Sequence, residues 1–282
     1  MRLKNNIAEK ALKIIRKNYY LVGVLSFFVL SVFTLSLIIP PFQSPDEFEH
    51  IKRAYLLTTG NIILKTQGNE SSGGQIDTGL LEYMHQYEKY PFKPEQKITS
   101  EATKTADEIQ WSQRSTFSPV YNISSNFPGL YLPQAVGMLI GKSFNLSVAH
   151  SYYIARMLVI FSSCILIIAS FLLFNPSPLV LAILFMPMSL YQIASPTLDG
   201  IATATFIFII SIFFYTALNQ RNSKGWIAIP MGIGVFLLTS SRVHALPIIL
   251  LVYYSYYLTK NKNFLIAGIA TIFLTASGYL FQ

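Results

Sequence analysis

Asp46, Glu47 and His50 follow one another closely, directly after an uninterrupted apolar run. A carboxylate pair beside an imidazole can take up and deliver protons as general base and acid. Asp46 and His50, with Glu49, also offer O and N ligands on one helix face, a set that suits Mg, Mn or Zn. The preceding run, about Tyr19–Ile39, is long enough to cross a bilayer, which takes about 20 apolar residues. The acids would then lie at a membrane surface, within reach of a membrane-borne substrate.

The same residues have a plainer reading. Ser44-Pro45-Asp46-Glu47 is a good helix start, with Ser44 as N-cap, Pro45 as first helical residue and Glu47 as capping-box acid. At the helical period Asp46, Glu49, His50, Arg53 and Leu57 share one face, while Phe48, Ile51 and Tyr55 form an apolar face for lipid or protein. Capping alone does not need His50 and Arg53 beneath the acid. Chemistry and capping both stay open at this point.

Other candidates lie far along the chain. Arg156 sits inside an apolar run, where it can snorkel, bind a lipid phosphate or pair with an acid of the preceding polar stretch. Asp199, the only acid after Lys142, can cap a helix or join Asp46. Arg242 and His244 add positive charge and an imidazole. Gathered at one membrane face, these groups would hold a phosphate leaving group and activate a nucleophile.

The elements that must position them are helices in a membrane. The chain has 282 residues, 52% hydrophobic and 12% charged, with mean hydropathy +0.45. A soluble domain carries about 25% charged residues. The net charge of +8 suggests nucleic acid only until it is mapped. Pro40–Ser147 holds nine basic against eleven acidic residues, a net of −2, and the remainder is +10. Six basic residues fall in the first 17, a positive-inside signature that places the N-terminus in the cytoplasm and predicts no nucleic-acid partner. The lone Cys164 reads as a packed thiol.

Residues 1–18 read as a basic cytoplasmic lead-in, and 19–39 as the first transmembrane helix. Residues 40–147 read as a large external loop with juxtamembrane helices at about 44–60 and 127–142. Six further spans are expected over 148–282, at about 150–174, 178–195, 200–218, 226–240, 244–258 and 264–281. Threaded this way, Arg221, Lys224, Lys260 and Lys262 fall inside, while Asp199, Arg242 and His244 fall outside with the loop. Residues 127–141 are short and contain Pro133, so they are expected to lie along the outer surface rather than cross. No acid lies mid-span, which argues against an ion-coupled transporter.

Five elements in this order resemble the GT-C superfamily of membrane glycosyltransferases. They are Ser44-Pro45-Asp46-Glu47, Phe127-Pro128-Gly129-Leu130-Tyr131, Ala155-Arg156, Asp199 and Ser241-Arg242 with Pro247. The chain also resembles a bacterial family of predicted multispanning membrane proteins that carries a Pro-x-Asp-Glu-x-x-x-His element after its first span. Pro45-Asp46-Glu47 and His50 stand at that place, at closer spacing. The GT-C resemblance implies transfer of a sugar from a polyprenyl-phosphate donor to a glycan, lipid or protein acceptor outside the cytoplasmic membrane. It implies Asp46 as base, with Glu47 beside it. His50, Arg53, Arg156, Asp199, Arg242 and His244 would bind substrate. A divalent metal, if used, would fall to Asp46 and His50. Arg242 stands where the superfamily often has lysine, and the chain stops at Gln282 just after a span, as a C-terminally truncated enzyme would. The expected fold is an all-α polytopic membrane protein with a GT-C-like bundle and a bilayer as its surroundings. The rivals are a non-catalytic membrane scaffold and a component of a polysaccharide or lipid transporter.

Overall fold

Long runs without a polar stripe form the longest helices. The computed structural model describes residues 19–93 and 95–280. The basic lead-in at 1–18 lies outside the described residues. Helix α1 (Tyr19–Ile38) is apolar all round, as a helix against lipid must be. Then come α2 (Glu47–Thr58), α3 (Thr78–His85), α4 (Ser100–Glu108), α5 (Leu132–Ser143) and α6 (Val148–Leu173). Two seven-residue helices, α7 (Pro178–Leu184) and α8 (Pro187–Ile193), precede α9 (Leu198–Asn219), α10 (Ala228–Ser241), α11 (Ile249–Thr259) and α12 (Lys262–Leu280). Helices α1, α6 and α9 are long and apolar enough to cross a membrane, and three shorter apolar helices follow. This is an all-α membrane protein.

The segment read as a single span at 178–195 is two helices. Pro187 at the start of α8 has no N–H to give and breaks the run after Phe185. The pair still climbs beside α1. Phe185 stacks on Phe27 at 5.6 Å, and the Tyr191 hydroxyl donates to the Gln43 carbonyl at 2.6 Å.

The two helices expected in the large polar stretch are present as α2 and α5, the latter entered through a 3-10 turn at Pro128–Tyr131. Helix α5 packs along the first turns of α6 at very close range. A Cβ at Gly137 would overlap the Ala155 backbone, and one at Gly141 would overlap Ser151. Small residues at matching four-residue spacings let the two backbones approach, as in membrane helix pairs. At 26 residues α6 is roughly 39 Å long, more than one hydrocarbon layer. Helix α5 braces the surplus.

Sequence patterns missed a small sheet. Strands β1 (Gly73–Asp77) and β2 (Ser115–Pro119) pair antiparallel with Gly73 opposite Pro119 and Asp77 opposite Ser115. In the middle of the polar stretch Tyr83, Met84 and Tyr87 are buried as part of the main core, with Tyr83 against both Phe42 and Tyr152 of α6. Cys164 is buried, as a packed thiol should be.

Candidate functional site

One layer of the bundle gathers the ends of α1, α8 and α10 with the start of α9. Arg156, two turns into α6, is 1% exposed and marks this layer. Its Nε donates to the Ala194 carbonyl at 2.9 Å and its guanidinium to the Ile39 carbonyl at 2.8 Å. From the neighbouring elements Gln134 Nε2 donates to the Pro196 carbonyl, and the Ser241 hydroxyl to the Phe127 carbonyl. Helices α2 and α5 rest on this layer.

Glu47 is the buried centre of the platform. Its Oε1 accepts from the Phe42 N–H at 2.9 Å and from the Tyr152 hydroxyl in a very short bond, and its Oε2 accepts from the Ser44 N–H at 3.0 Å. Burial pushes its carboxyl above the usual range, against the lowering pull of the Tyr152 bond, Arg156 and the two backbone donors. The bond to Ser44 N is the acid half of the expected capping box. The other half differs. Helix α2 starts at Glu47 rather than Pro45, and the Ser44 hydroxyl bonds Ser195 at 3.2 Å instead of capping.

Asp46 therefore occupies the N-cap position, and it does so in a left-handed conformation (φ 55°, ψ 12°) with no side-chain cap bond. Left-handed backbone is costly for any residue with a Cβ, though Asp tolerates it better than most. The carboxylate is exposed and has no hydrogen-bond partner among the described residues. Ser44 and Glu47, on either side of the exposed Pro45-Asp46 pair, are buried and bonded.

His50 and Arg53 do not line a solvent face. Both are buried, because α2 is enclosed on nearly every side. His50 Nδ1 bonds the Tyr131 hydroxyl at 2.7 Å. Burial, with help from the Arg242 charge, lowers the imidazole to about 3, so it is neutral at ordinary pH. Arg53 donates to the carbonyls of Asn61, Ile62 and Asn126, clamping the loops that leave α2 and enter the 3-10 turn. Burial lowers its guanidinium to about 10, which still leaves it charged. Tyr131 sits among these groups. Burial raises its hydroxyl well above the ordinary range, and it feels Arg53, Arg242 and Asp46 together.

Asp199, at the start of α9, forms a very short ion pair with Arg242, beyond the end of α10. Both are about a quarter exposed. They line a cavity of about 500 Å³ together with Gln192, Thr203 and the exposed His244. The Arg242 Nε is buried with no hydrogen-bond partner among the described residues. Burial lowers the Arg242 pKa, against the raising effect of Tyr131.

The candidates thus sort into two groups. Glu47, Arg53 and Arg156 are buried and bound to backbone or to each other's surroundings. Asp46 and the Asp199–Arg242–His244 cavity are open, and the neutral His50–Tyr131 pair lies beneath, within the field of Arg242. Among the described residues no three His, Cys, Asp or Glu side chains converge as a metal set. Sequence reasoning passed over Tyr131 and Tyr152, whose hydroxyls contact His50 and Glu47. Tyr131 stood in the Phe127–Tyr131 element, and a hydroxyl in an apolar helix was the signal for Tyr152.

The sequence matches a family of predicted membrane proteins, DUF2142, over residues 27–281. The chain belongs to that family. The match spans every candidate residue from Asp46 to His244, so the platform and the cavity are both within the DUF2142 region. No curated protein and no solved structure matches the chain.

Proposed function

We propose that the protein is a membrane glycosyltransferase that moves a sugar from a polyprenyl-phosphate donor to an acceptor on the outer face of the cytoplasmic membrane. The observation behind this reading is Asp46, an exposed carboxylate with no hydrogen-bond partner among the described residues, in a strained backbone conformation, set beside the buried and fully bonded carboxylate of Glu47. Strain retained by surrounding structure is a reason to look for function. An acid held in this way is available to a substrate hydroxyl.

In the reaction, Asp46 takes the proton of an acceptor hydroxyl, whose oxygen bonds to the anomeric carbon. The bond from that carbon to the phosphate oxygen breaks, and polyprenyl phosphate leaves with the electron pair. Arg242 and His244 would face the phosphate. Arg242 uses one N–H on Asp199 and keeps others, including the buried Nε, whose unmet bond costs free energy until an acceptor fills it. Tyr131, which feels the Asp46 charge, and His50, which bonds Tyr131, would set the electrostatics around the acid. Glu47, Arg53 and Arg156 are positioning residues, because their bonds are taken up by the platform. The donor's chain would lie in the bilayer, which ends near the Arg156 layer; from Arg156 to Leu173, α6 is roughly 27 Å long, about one hydrocarbon thickness. The N-terminus and the inner loops would then face the cytoplasm, with residues 40–147 outside.

The test is direct. The full chain, purified in detergent, is given a polyprenyl-phosphate sugar and a pool of envelope acceptors. Enzyme-dependent release of polyprenyl phosphate with labelled acceptor supports the reading. Donor that stays intact with every donor sugar and acceptor fraction contradicts it.

A further inference from the structure

A second polar cavity, about 300 Å³, lies away from Asp46, where the C-terminal ends of α2 and α5 meet the β1–β2 sheet. Its walls include Tyr55, Gln75, Asp77, Gln113, Arg114 and Lys142. Asp77 is its one carboxylate, and it is already satisfied. Oδ1 accepts from Gly79 N, Ser112 N and the Ser112 hydroxyl, and Oδ2 accepts from Gln113 N. It shapes the wall and offers little to a ligand.

The donors are in the opposite state. Among the described residues the Arg114 guanidinium and the Gln75 and Gln113 amides have no hydrogen-bond partner. Lys142 makes one long bond, 3.5 Å, to the Tyr55 hydroxyl. Its ammonium is held 5.1 Å from the Tyr55 ring and 4.7 Å from the Trp111 ring, and these rings stack on each other. Trp111 is fixed in turn by a bond to Ser151. A lysine anchored by aromatic faces is preorganised, so less side-chain freedom is lost when it meets an anion. The cavity combines two cations, the exposed amides of Gln75 and Gln113 and the rim hydroxyl of Ser115, while the Thr59 hydroxyl is held by Leu56 and Asn61. Its volume is at the small end of ligand sites.

We propose that this cavity binds an anionic saccharide, a polyhydroxylated ring bearing a carboxylate or a phosphate. Lys142 and Arg114 hold the anion, and Gln75 and Gln113 meet the hydroxyls. The site does not depend on the transfer reading. Thr59 lies at the far end of α2, roughly 20 Å from Asp46 along the helix. If both readings hold, the acceptor is an extended acidic glycan that reaches from one end of α2 to the other.

The chain has two tryptophans, so Trp226→Phe leaves Trp111 as the sole reporter. Trp226 is exposed, so the change is tolerable. The detergent-purified full chain is titrated with glucuronate, glucose 6-phosphate, glucose and inorganic phosphate. Saturable change in Trp111 emission is expected with at least one acidic sugar, and which one responds identifies the anion. Glucose and inorganic phosphate should bind at least about tenfold more weakly. Lys142→Gln and Arg114→Gln should each weaken the acidic sugar by about tenfold or more. Lys142 packs on two rings, so Arg114→Gln, at an exposed residue, separates loss of the site from loss of folding. Asp46→Asn should leave this binding intact, even where it stops transfer. Three results would overturn the proposal: no saturable response to either acidic sugar, glucose or inorganic phosphate binding as tightly as the acidic sugar, or unchanged affinity in both charge variants.

Discussion

Glu47→Gln tests whether the buried acid holds the platform beneath Asp46. The carboxylate accepts three hydrogen bonds, two at Oε1 from Phe42 N–H and Tyr152 O–H and one at Oε2 from Ser44 N–H. An amide of the same shape has only one accepting oxygen. Turned to keep the pair at Oε1, it sets its NH2 against the Ser44 N–H, donor against donor. One lost bond to a charged group is worth about 1.5–3 kcal/mol. Arg156 also loses a nearby opposite charge, but it retains its two carbonyl partners, so this adds less than the about 3–5 kcal/mol seen when a buried pair is broken outright. The expected cost is about 3 kcal/mol. Tyr152→Phe removes one of the same bonds and should cost about 1–3 kcal/mol. Because the two changes share the Oε1 bond, the double variant should lose less than the sum. Denaturation of detergent-solubilised protein reads all four corners of this cycle. Glu47→Gln within about 0.5 kcal/mol of wild type, the range of an ordinary surface change, would refute the reasoning.

Three further predictions follow from the geometry. His50 resists protonation down to about pH 3 when folded, whereas its ordinary value is 6.5. The unfolded chain therefore takes up a proton that the folded one refuses, and stability should fall as pH drops from about 6.5 toward 3; His50→Gln should flatten that fall, and identical pH profiles would contradict it. Gly137→Ala should cost at least about 1–3 kcal/mol by forcing α5 away from α6, while Gly23→Ala, which meets open space, should be neutral or slightly stabilising. In a Cys164→Ser background, Ser71→Cys should react with an impermeant thiol reagent in intact cells and Asn222→Cys should not; the reverse pattern would overturn the proposed topology.

Hydropathy was enough to reveal the helical membrane fold, because an all-apolar helix has few other places to go. Pro45 and Glu47 marked the start of α2 to within two residues. Short-range signals failed where tertiary contacts decide. Strand β1 opens on two glycines and β2 is mostly small polar residues ending in proline, with no hydrophobic alternation to betray them, and they exist because they pair across a separation of about forty residues. The shared face of His50 and Arg53 was legible from helical spacing, but sequence alone cannot show that the 3-10 turn and α5 would cover it. Arg156 was legible as an anomaly in an apolar run, and pairing with a loop acid was one of its three readings. The structure instead gives it two backbone carbonyls, with Glu47 close enough to feel its charge, an arrangement that required the ends of α1 and α8 to be in place. The Asp199–Arg242 pair joins residues on different helices, a link that no local pattern encodes.

The central claim is that Asp46 does chemistry while its neighbours hold it in position. Asp46→Asn separates the two roles, because it keeps shape and the tolerance of left-handed backbone but removes charge and basicity. The exposed carboxylate has no bond to lose, so stability should stay within about 0.5 kcal/mol of wild type. Loss of a general base costs about 10²–10⁴-fold in rate. The most direct measurement is the rate of sugar transfer per folded molecule, taken for wild type, Asp46→Asn and Ser44→Ala in the full-length protein. The account predicts a collapse of at least about a hundredfold for Asp46→Asn and near-normal turnover for Ser44→Ala. Wild-type transfer by folded Asp46→Asn would contradict it.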